Sequence, residues 1–488
     1  MLQSIRNNFT IKIIGALFSG VLLYLAFDDI SLIWLSVVSL LSLMYLLDTT
    51  PKAIYRCLIL SVFILCFVFL QFSFLFKTAS MVGWFVLLLN VLISLIYLIP
   101  LYGLSLIRSK FYLEISLVGL LISEYIFATI SIGNQLFQLG VILSDIPIVI
   151  QWYKFTGIFF GSFWIMLISY SLFRVLFKRE SCRVLLGIIL IPIAISLIIR
   201  FSYKPQGTLR NIKITSLAVN NDADSMINAL VSNDPGIVDY ILVPEGALAF
   251  QEKAVKFSPA LTQIKRYVNK YDDLCIVIGI STYSTDSWDN SVMIYSKDNV
   301  SQRFKVLKIP FCEYLPYPSI LGKVDFIKNH VWYQMEEKAN TAELYLHHQD
   351  TIAPLICYES LSTEYICDLE RQGANIFFVS SSNTFIDSKH IEHINLNILR
   401  ANAIISERTF VRCVENGISS IITPHGNLAL ETAYESKFSV ESAKLYYKRT
   451  FFVQHYNIIN GVYLMMLLCL LTVLVFLDKF KPKIYKHE

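Results

Sequence analysis

Ala353-Pro354-Leu355-Ile356-Cys357-Tyr358-Glu359 is an apolar run, led in by Ile352, that stops on a thiol flanked by an aromatic ring and a carboxylate. Runs of this kind, rich in β-branched residues and about six residues long, are read as strands covered on both faces. Similar runs recur around it at Leu274 to Thr282, Ser291 to Ser296, Asn375 to Ser382, Phe410 to Val414 and Gly417 to Thr423. Helical periodicity falls between them at Asp222 to Ser232, Pro259 to Tyr271, Ser360 to Gln372 and Ser388 to Ser406. Strands mixed with helices in one segment predict a layered α/β domain, with sheets covered by helices. Glu245 follows Tyr240-Ile241-Leu242-Val243 and Cys357 ends its own run, so both are expected at strand ends, where a rigid sheet projects side chains into a cleft.

Outside this segment the chain changes character. Of the 488 residues 55% are hydrophobic and only 16% charged, the balance of an integral membrane protein. Apolar runs long enough to cross a ~30 Å hydrocarbon layer as helices occur at 11–27, 30–47, 57–76, 81–107, 111–131, 155–177 and 184–200, with an eighth at 459–477. The expected organisation is a seven-span membrane domain over 1–204, an α/β domain over 205–455, and a last span with a basic tail over 456–488. The first run lacks a small-residue cleavage site and reads as an anchor, not a removed signal peptide. Lys and Arg cluster in alternate loops: Arg6 and Lys12, Lys52 and Arg56, Arg108 and Lys110, then Arg174, Lys178, Arg179 and Arg183, and finally Lys479, Lys481, Lys483 and Lys486. The intervening loops carry Asp28 and Asp29, Lys77, or Lys154. Because basic residues are retained in the cytoplasm, both termini are expected there and the large domain outside, despite Arg200, Lys204 and Arg210. The net charge of +4 is dispersed, which argues against nucleic-acid binding. An exported domain meets oxidising conditions, yet its cysteines, Cys275, Cys312, Cys357, Cys367 and Cys413, are odd in number, so at least one stays free.

A nucleophilic thiol needs a base, a cation to favour the thiolate, and donors for the oxyanion formed on attack. Glu245, Lys305 and Cys357 supply a carboxylate, an ammonium and a thiol. No Ser-His-Asp arrangement competes by motif. His347 with His348, and His390 with His393, have no carboxylate or cysteine partners at metal-ligand spacing and are expected to be solvated loop and helix residues. Glu124, inside the fifth span, is expected to face the bundle and pair there.

Val243-Pro244-Glu245, Arg303-Phe304-Lys305 through Pro310-Phe311-Cys312-Glu313-Tyr314-Leu315-Pro316, and Ile356-Cys357-Tyr358-Glu359 resemble the three motifs of the carbon–nitrogen hydrolase, or nitrilase, superfamily. Its membrane branch, the apolipoprotein N-acyltransferases, is the nearest pattern. Asp289-Asn290-Ser291, Arg412 to Ser419 and the membrane stretch Ile148 to Gly157 are similar to that branch as well. The resemblance implies an exported nitrilase-like α-β-β-α sandwich beside the membrane helices. It implies Glu245 as general base, Lys305 as the ammonium facing the transition state, and Cys357 as the nucleophile that carries an acyl group as a thioester. Lys305 is preferred to Lys308 because the family lysine stands five residues before the proline, here Pro310. Glu313 would orient Lys305 or the incoming amine, and Tyr358 and Glu359 would shape the oxyanion region and the loop above it. The implied partners are a phospholipid acyl donor, such as phosphatidylethanolamine, and the diacylglyceryl-cysteine N-terminus of an apolipoprotein; no cofactor and no metal are implied. Val324-Asp325-Phe326-Ile327 and Val331-Trp332-Tyr333 are a candidate lipid-facing loop.

The chain departs from the family pattern at Cys312, where glycine is usual, at Ser380 to Phe385, at Ile405, and at Glu415-Asn416. These departures bear on substrate and efficiency, leave the trio intact, and leave room for a diverged paralogue with a different acyl donor or acceptor. Two other functions compete: a membrane-tethered amidase in which water resolves the thioester, and a transporter or scaffold, which the lack of paired ionisable residues in the spans disfavours.

Overall fold

The structure, a computed structural model, describes residues 8–77, 83–105, 109–130, 133–202, 208–214, 238–252, 255, 258–284, 288–297, 299–325, 343–384, 386, 388–431, 439–445 and 449–479. The expected helix at Asp222 to Ser232 and the loop residues from Phe326 to Tyr333 lie outside these. Packing divides the chain into two units, the helices up to Ile199 with the last helix, and the segment Arg200–Gln454.

The first unit contains α1 (Phe9–Leu25), α2 (Trp34–Asp48), α3 (Ala53–Gln71), α4 (Gly83–Ser105), α5 (Tyr112–Thr129), α6 (Ile158–Lys178), α7 (Cys182–Ser202) and a final helix, Tyr456–Lys479. Each of the eight apolar runs overlaps one of these helices. Seven of these segments are long and apolar enough to cross a membrane, α2 when taken with the 3₁₀ turn that leads into it as Ile30–Asp48; α1, with 17 residues, falls short. The chain is thus a multi-pass membrane protein. Basic residues from three helices converge on the turn after α2: Lys12 Nζ donates to Thr49 O at 2.7 Å, Arg56 Nη1 to Pro51 O at 2.9 Å, and Lys178 lies 2.8 Å from Asp48.

Inside the bundle, where lipid supplies no partners, some polar side chains bond the backbone of neighbouring segments. Glu124 is buried and accepts a hydrogen bond from Leu139 N–H at 3.2 Å, as expected of an acid turned away from lipid. Pro192 has no N–H to give Ile188 O four residues earlier, and Trp164 Nε1 donates to that carbonyl instead, at 2.7 Å. Trp164→Phe keeps an aromatic ring and loses this donor. It should therefore cost roughly 1 kcal/mol, read as a lower unfolding temperature in detergent; an unchanged temperature would show the freed carbonyl costs nothing.

The second unit holds twelve described strands: β1 (Thr208–Ile214), β2 (Tyr240–Gln251), β3 (Cys275–Tyr283), β4 (Trp288–Tyr295), β5 (Val300–Phe304), β6 (Tyr345–His347), β7 (Asp350–Ile356), β8 (Ile376–Ser382), β9 (Thr409–Glu415), β10 (Ser420–Ile422), β11 (Leu428–Glu431) and β12 (Ser439–Leu445). They form two six-stranded sheets, ordered β12-β1-β2-β3-β4-β5 and β11-β10-β9-β8-β7-β6. The centre of each is parallel, β1 to β3 in one and β7 to β9 in the other, with antiparallel strands outside. Successive strand residues point to opposite faces, and both faces are apolar. Tyr240, Leu242 and Val277 meet Ile352, Ile356, Phe378 and Val411 between the sheets. Ile241, Val243, Ile276 and Ile278 face outward against Ile264 and Val268 of α8 (Pro259–Val268). Leu355, Phe377 and Val379 pack on Ile366 and Leu369 of α9 (Thr363–Gln372) and on Leu396 and Leu399 of α10 (Lys389–Ser406). The layers run helix, sheet, sheet, helix, the nitrilase-like arrangement expected.

The histidine expectation needs correction. His347 and His390 are buried, not solvated, and His347 Nε2 lies 3.1 Å from Asp273 O. Among the described residues, no group of three His, Cys, Asp or Glu side chains is arranged to hold a metal ion.

Candidate active site

Glu245 does not stand at the end of β2, which continues to Gln251. It sits in a bulge, where pairing with β3 shifts register between Val243 and Leu248. Pro244, without an N–H, is tolerated because the bulge interrupts the ladder, and Gly246 takes the left-handed φ of 67° that turns the chain back. The bulge presses on β3 at Gly279, where a Cβ would fall 2.3 Å from Pro244 O. The kink re-aims the Glu245 carboxylate toward the second sheet. There Ser382 N–H donates to Oε2 at 3.2 Å, while Asn290 Nδ2 donates to Oε1 at 2.7 Å, itself held by Ser281 Oγ at 2.8 Å.

Lys305 follows β5 and stays in register through its N–H to Asn290 O at 2.9 Å. Its Nζ lies 2.6 Å from Glu313 Oε1 and 3.6 Å from Glu245 Oε1. Lys308 remains partly exposed, whereas Lys305 is buried. Glu313 is fixed from its other side by Ile309 N–H at 2.7 Å. The tight turn before it places the left-handed φ, 63°, on Phe311, so Cys312 occupies the usual glycine place without bearing the strain.

Cys357 is the first residue after β7 and has a left-handed φ of 50°. The chain then makes one 3₁₀ turn, Cys357–Leu361, pinned by Ser360 Oγ donating to Cys357 O at 2.7 Å. The residue is partly exposed, and its thiol faces the Glu245 carboxylate and hydrogen-bonds with Ser381 of β8. All nine cysteines are free; Cys275, Cys367 and Cys413 are buried in the domain, and Cys312 and Cys357 are partly exposed.

The electrostatics follow from counting charges. One ammonium lies between two carboxylates, so the local sum beside the thiol is negative. Burial pushes the Glu245 carboxyl above its ordinary value of 4.5 and Glu313 adds to this, with Lys305 opposing. Burial would lower Lys305, yet Glu313 and Glu245 outweigh it and hold the ammonium well above its ordinary 10.5. The Cys357 thiol is pushed up to about 12, by burial and then by Glu245, against the pull of Lys305. The resting residue is accordingly a thiol. Lys305 does not preform a thiolate, as its charge is already shared.

The structure thus brings Glu245, Lys305, Glu313 and Cys357 together. Tyr358 lies in the same turn, partly exposed. Glu359 is different: it is fully buried beneath the turn and bonded to Arg303, so it does not line the opening around the thiol. Sequence reading assigns no role to Ser281, Ser381 or Ser382 and reaches Asn290 only through the family-like stretch Asp289-Asn290-Ser291. Two of the departures from the family pattern meet here, since Ser382 Oγ donates to Glu415 Oε2 at 2.8 Å and Thr384 Oγ1 to the same oxygen at 3.2 Å.

The apolipoprotein N-acyltransferase N-terminal domain model matches residues 19–171. An apolipoprotein N-acyltransferase of Haemophilus influenzae is 22% identical over 450 residues, covering 85% of each chain. One of Aquifex aeolicus is 26% identical over 61% of this chain and 68% of its own. Among solved structures, a carbon–nitrogen hydrolase of Helicobacter pylori aligns with a TM-score of 0.38 and 9% identity, covering 53% of this chain and 94% of that one. A mutant of a Nesterenkonia amidase from the nitrilase superfamily gives 0.36 and 13%, covering 49% and 92%. Matched over residues 19–171 by that family model and over 85% of its length by one such relative, the chain is similar to the apolipoprotein N-acyltransferases.

Proposed function

We propose that this protein is an N-acyltransferase of lipoprotein maturation. It moves a fatty acyl chain from a membrane phospholipid, phosphatidylethanolamine in the first instance, to the α-amino group of an apolipoprotein's diacylglyceryl-cysteine. The observation that carries the reading is the thiol of Cys357, held in a left-handed turn against Glu245 with Lys305 beside that carboxylate. The relatives bearing this name support an apolipoprotein as acyl acceptor, and the donor lipid and the acceptor's lipid modification are part of the proposal.

In the first half-reaction Sγ attacks the ester carbonyl as its proton passes to Glu245. Lys305 faces the oxyanion, a role to which a buried, preorganised cation is suited. Collapse expels the lyso-phospholipid alkoxide, which takes the proton from Glu245 and leaves a thioester on Cys357. In the second, the lipoprotein amine attacks the thioester and yields a proton to Glu245, and the departing sulfur recovers it. Two easier steps replace one difficult one. Glu313 keeps Lys305 charged and aimed. The chemistry resides in 205–455, between 1–204 and 456–488. In this reading the domain lies on the periplasmic side of the cytoplasmic membrane, with both termini inside, as the alternation of basic loops favours.

Mass spectrometry of the purified protein after incubation with phosphatidylethanolamine should show one acyl group on Cys357. Adding a peptide with an N-terminal diacylglyceryl-cysteine should discharge it as an N-acyl peptide. Release of free fatty acid with no peptide acylation would replace transfer by hydrolysis.

A further inference from the structure

Lys305 and Cys357 belong to different sheets, one just past β5 and the other just past β7, so something must fix one strand end against the other. Arg303 and Glu359 do this. Arg303 stands two residues before Lys305, and alternation along a strand puts both on one face. Glu359 stands two residues after Cys357. Arg303 Nη1 donates to Glu359 Oε2 at 2.7 Å and Nη2 to Oε1 at 3.0 Å, with Tyr365 of α9 also bonded to the guanidinium. Oε1 also accepts from the N–H groups of Val306, at 2.6 Å, and Leu307, at 3.3 Å. Oε2 accepts from Ile356 N–H at 2.7 Å. One carboxylate therefore takes five donors and binds the backbone on either side: the residues following Lys305 and the residue preceding Cys357. Arg303 is 2% exposed and Glu359 0%.

Stability alone does not explain such a pair. Buried ion pairs are replaced by apolar side chains of similar volume at little or no net cost, because desolvation offsets the attraction. What an apolar pair does not supply is a set of directional bonds to both chain segments that bear reacting groups. We propose that Arg303 is a positioning residue which, acting through Glu359, sets how the Lys305 ammonium faces the Cys357 thiol. The inference rests on the acyl-transfer reading for its rate consequences and on geometry alone for its effect on the thiol.

The test uses Arg303→Met, Glu359→Gln, the double variant, and the full-length protein. The double variant leaves no lone charge in the interior, so it isolates loss of the staple from failure to fold. A control double variant, Arg408→Met with Glu370→Gln, removes a second buried pair, 2.9 Å apart, at the opposite ends of the strands. Each is measured for unfolding temperature, for the pH dependence of Cys357 alkylation by iodoacetamide, and for single-turnover acylation by phosphatidylethanolamine. The staple variants should alkylate more slowly at each pH of the rising limb between about pH 7 and pH 10, since a retreating Lys305 lowers the thiol pKa less. Their acylation should slow about 100-fold, the scale of an ångström of misplacement, with KM unchanged, and Arg303→Lys should recover part of it. The control should change the unfolding temperature only. A folded staple double variant with the wild-type alkylation curve would overturn the proposal, as would a control that shifts the curve equally. Failure of the wild type to acylate would instead sink the acyl-transfer reading, while the alkylation curves would still decide the role of Arg303.

Discussion

Cys357→Ala should abolish turnover while leaving the domain folded. Removing a covalent nucleophile costs on the order of 10⁶-fold where the remaining groups can only bind and polarise the substrate, and neither neighbouring candidate substitutes for it here. Cys312 is the second partly exposed thiol near the cluster, but burial and Glu313 push it to about 12 as well, and Glu313 is already engaged by Lys305 and Ile309 N–H. The Ser381 hydroxyl, although bonded to Cys357, lies on β8 and does not occupy the turn that presents Sγ. Alanine keeps the Cβ and hence the backbone conformation, so the change in stability should stay within about 1 kcal/mol. Circular dichroism with the acyl-mass assay separates the two effects; wild-type activity in this variant would end the mechanism.

Lys305→Met should cost between about 10² and 10³ in the acylation rate, the loss expected from one preorganised oxyanion partner. It should also change the pH profile. Glu245 must be ionised to act as base, and its carboxyl already lies above its ordinary 4.5, so the acid limb of the wild-type rate should fall above that value. Lys305 is the charge that opposes this rise. Without it, Glu245 and Glu313 face each other with no cation between them. The Glu245 carboxyl rises further and the limb moves toward higher pH. Single-turnover rates between about pH 4 and pH 9 measure both. A slow variant whose limb stays in place would mean that Lys305 serves the oxyanion but does not tune the base.

The β7 run was legible because its apolar residues stop abruptly at Cys357, and the membrane helices because length and hydropathy suffice to define them. Other elements left weaker traces. Val300 to Phe304, a polar edge strand, has only one buried residue, and Tyr345 to His347 is three residues long. Glu245 looked like the end of a strand because Pro244 and Gly246 are breakers. Only pairing with β3, beyond Glu245, shows that the breakers make a bulge instead. Glu245, Lys305 and Cys357 could be named from motif spacing, whereas the bond from Ser382 to Glu245, and that from Ser281 to the Asn290 that holds Glu245, are contacts that no local pattern encodes. Arg303 did leave a signal: an arginine in a strand that must cover a core needs a buried acid, and Glu359 was available.

The left-handed backbone at Cys357 has a consequence for how this position can change over generations. An L-residue pays roughly 1–2 kcal/mol in that conformation, and glycine or asparagine tolerates it far better. Chemistry and backbone therefore favour different residues at one site. In a lineage that lost its need for acyl transfer, position 357 should be among the first to drift, toward Gly or Asn, while Gly279, held by the contact with Pro244, should stay fixed.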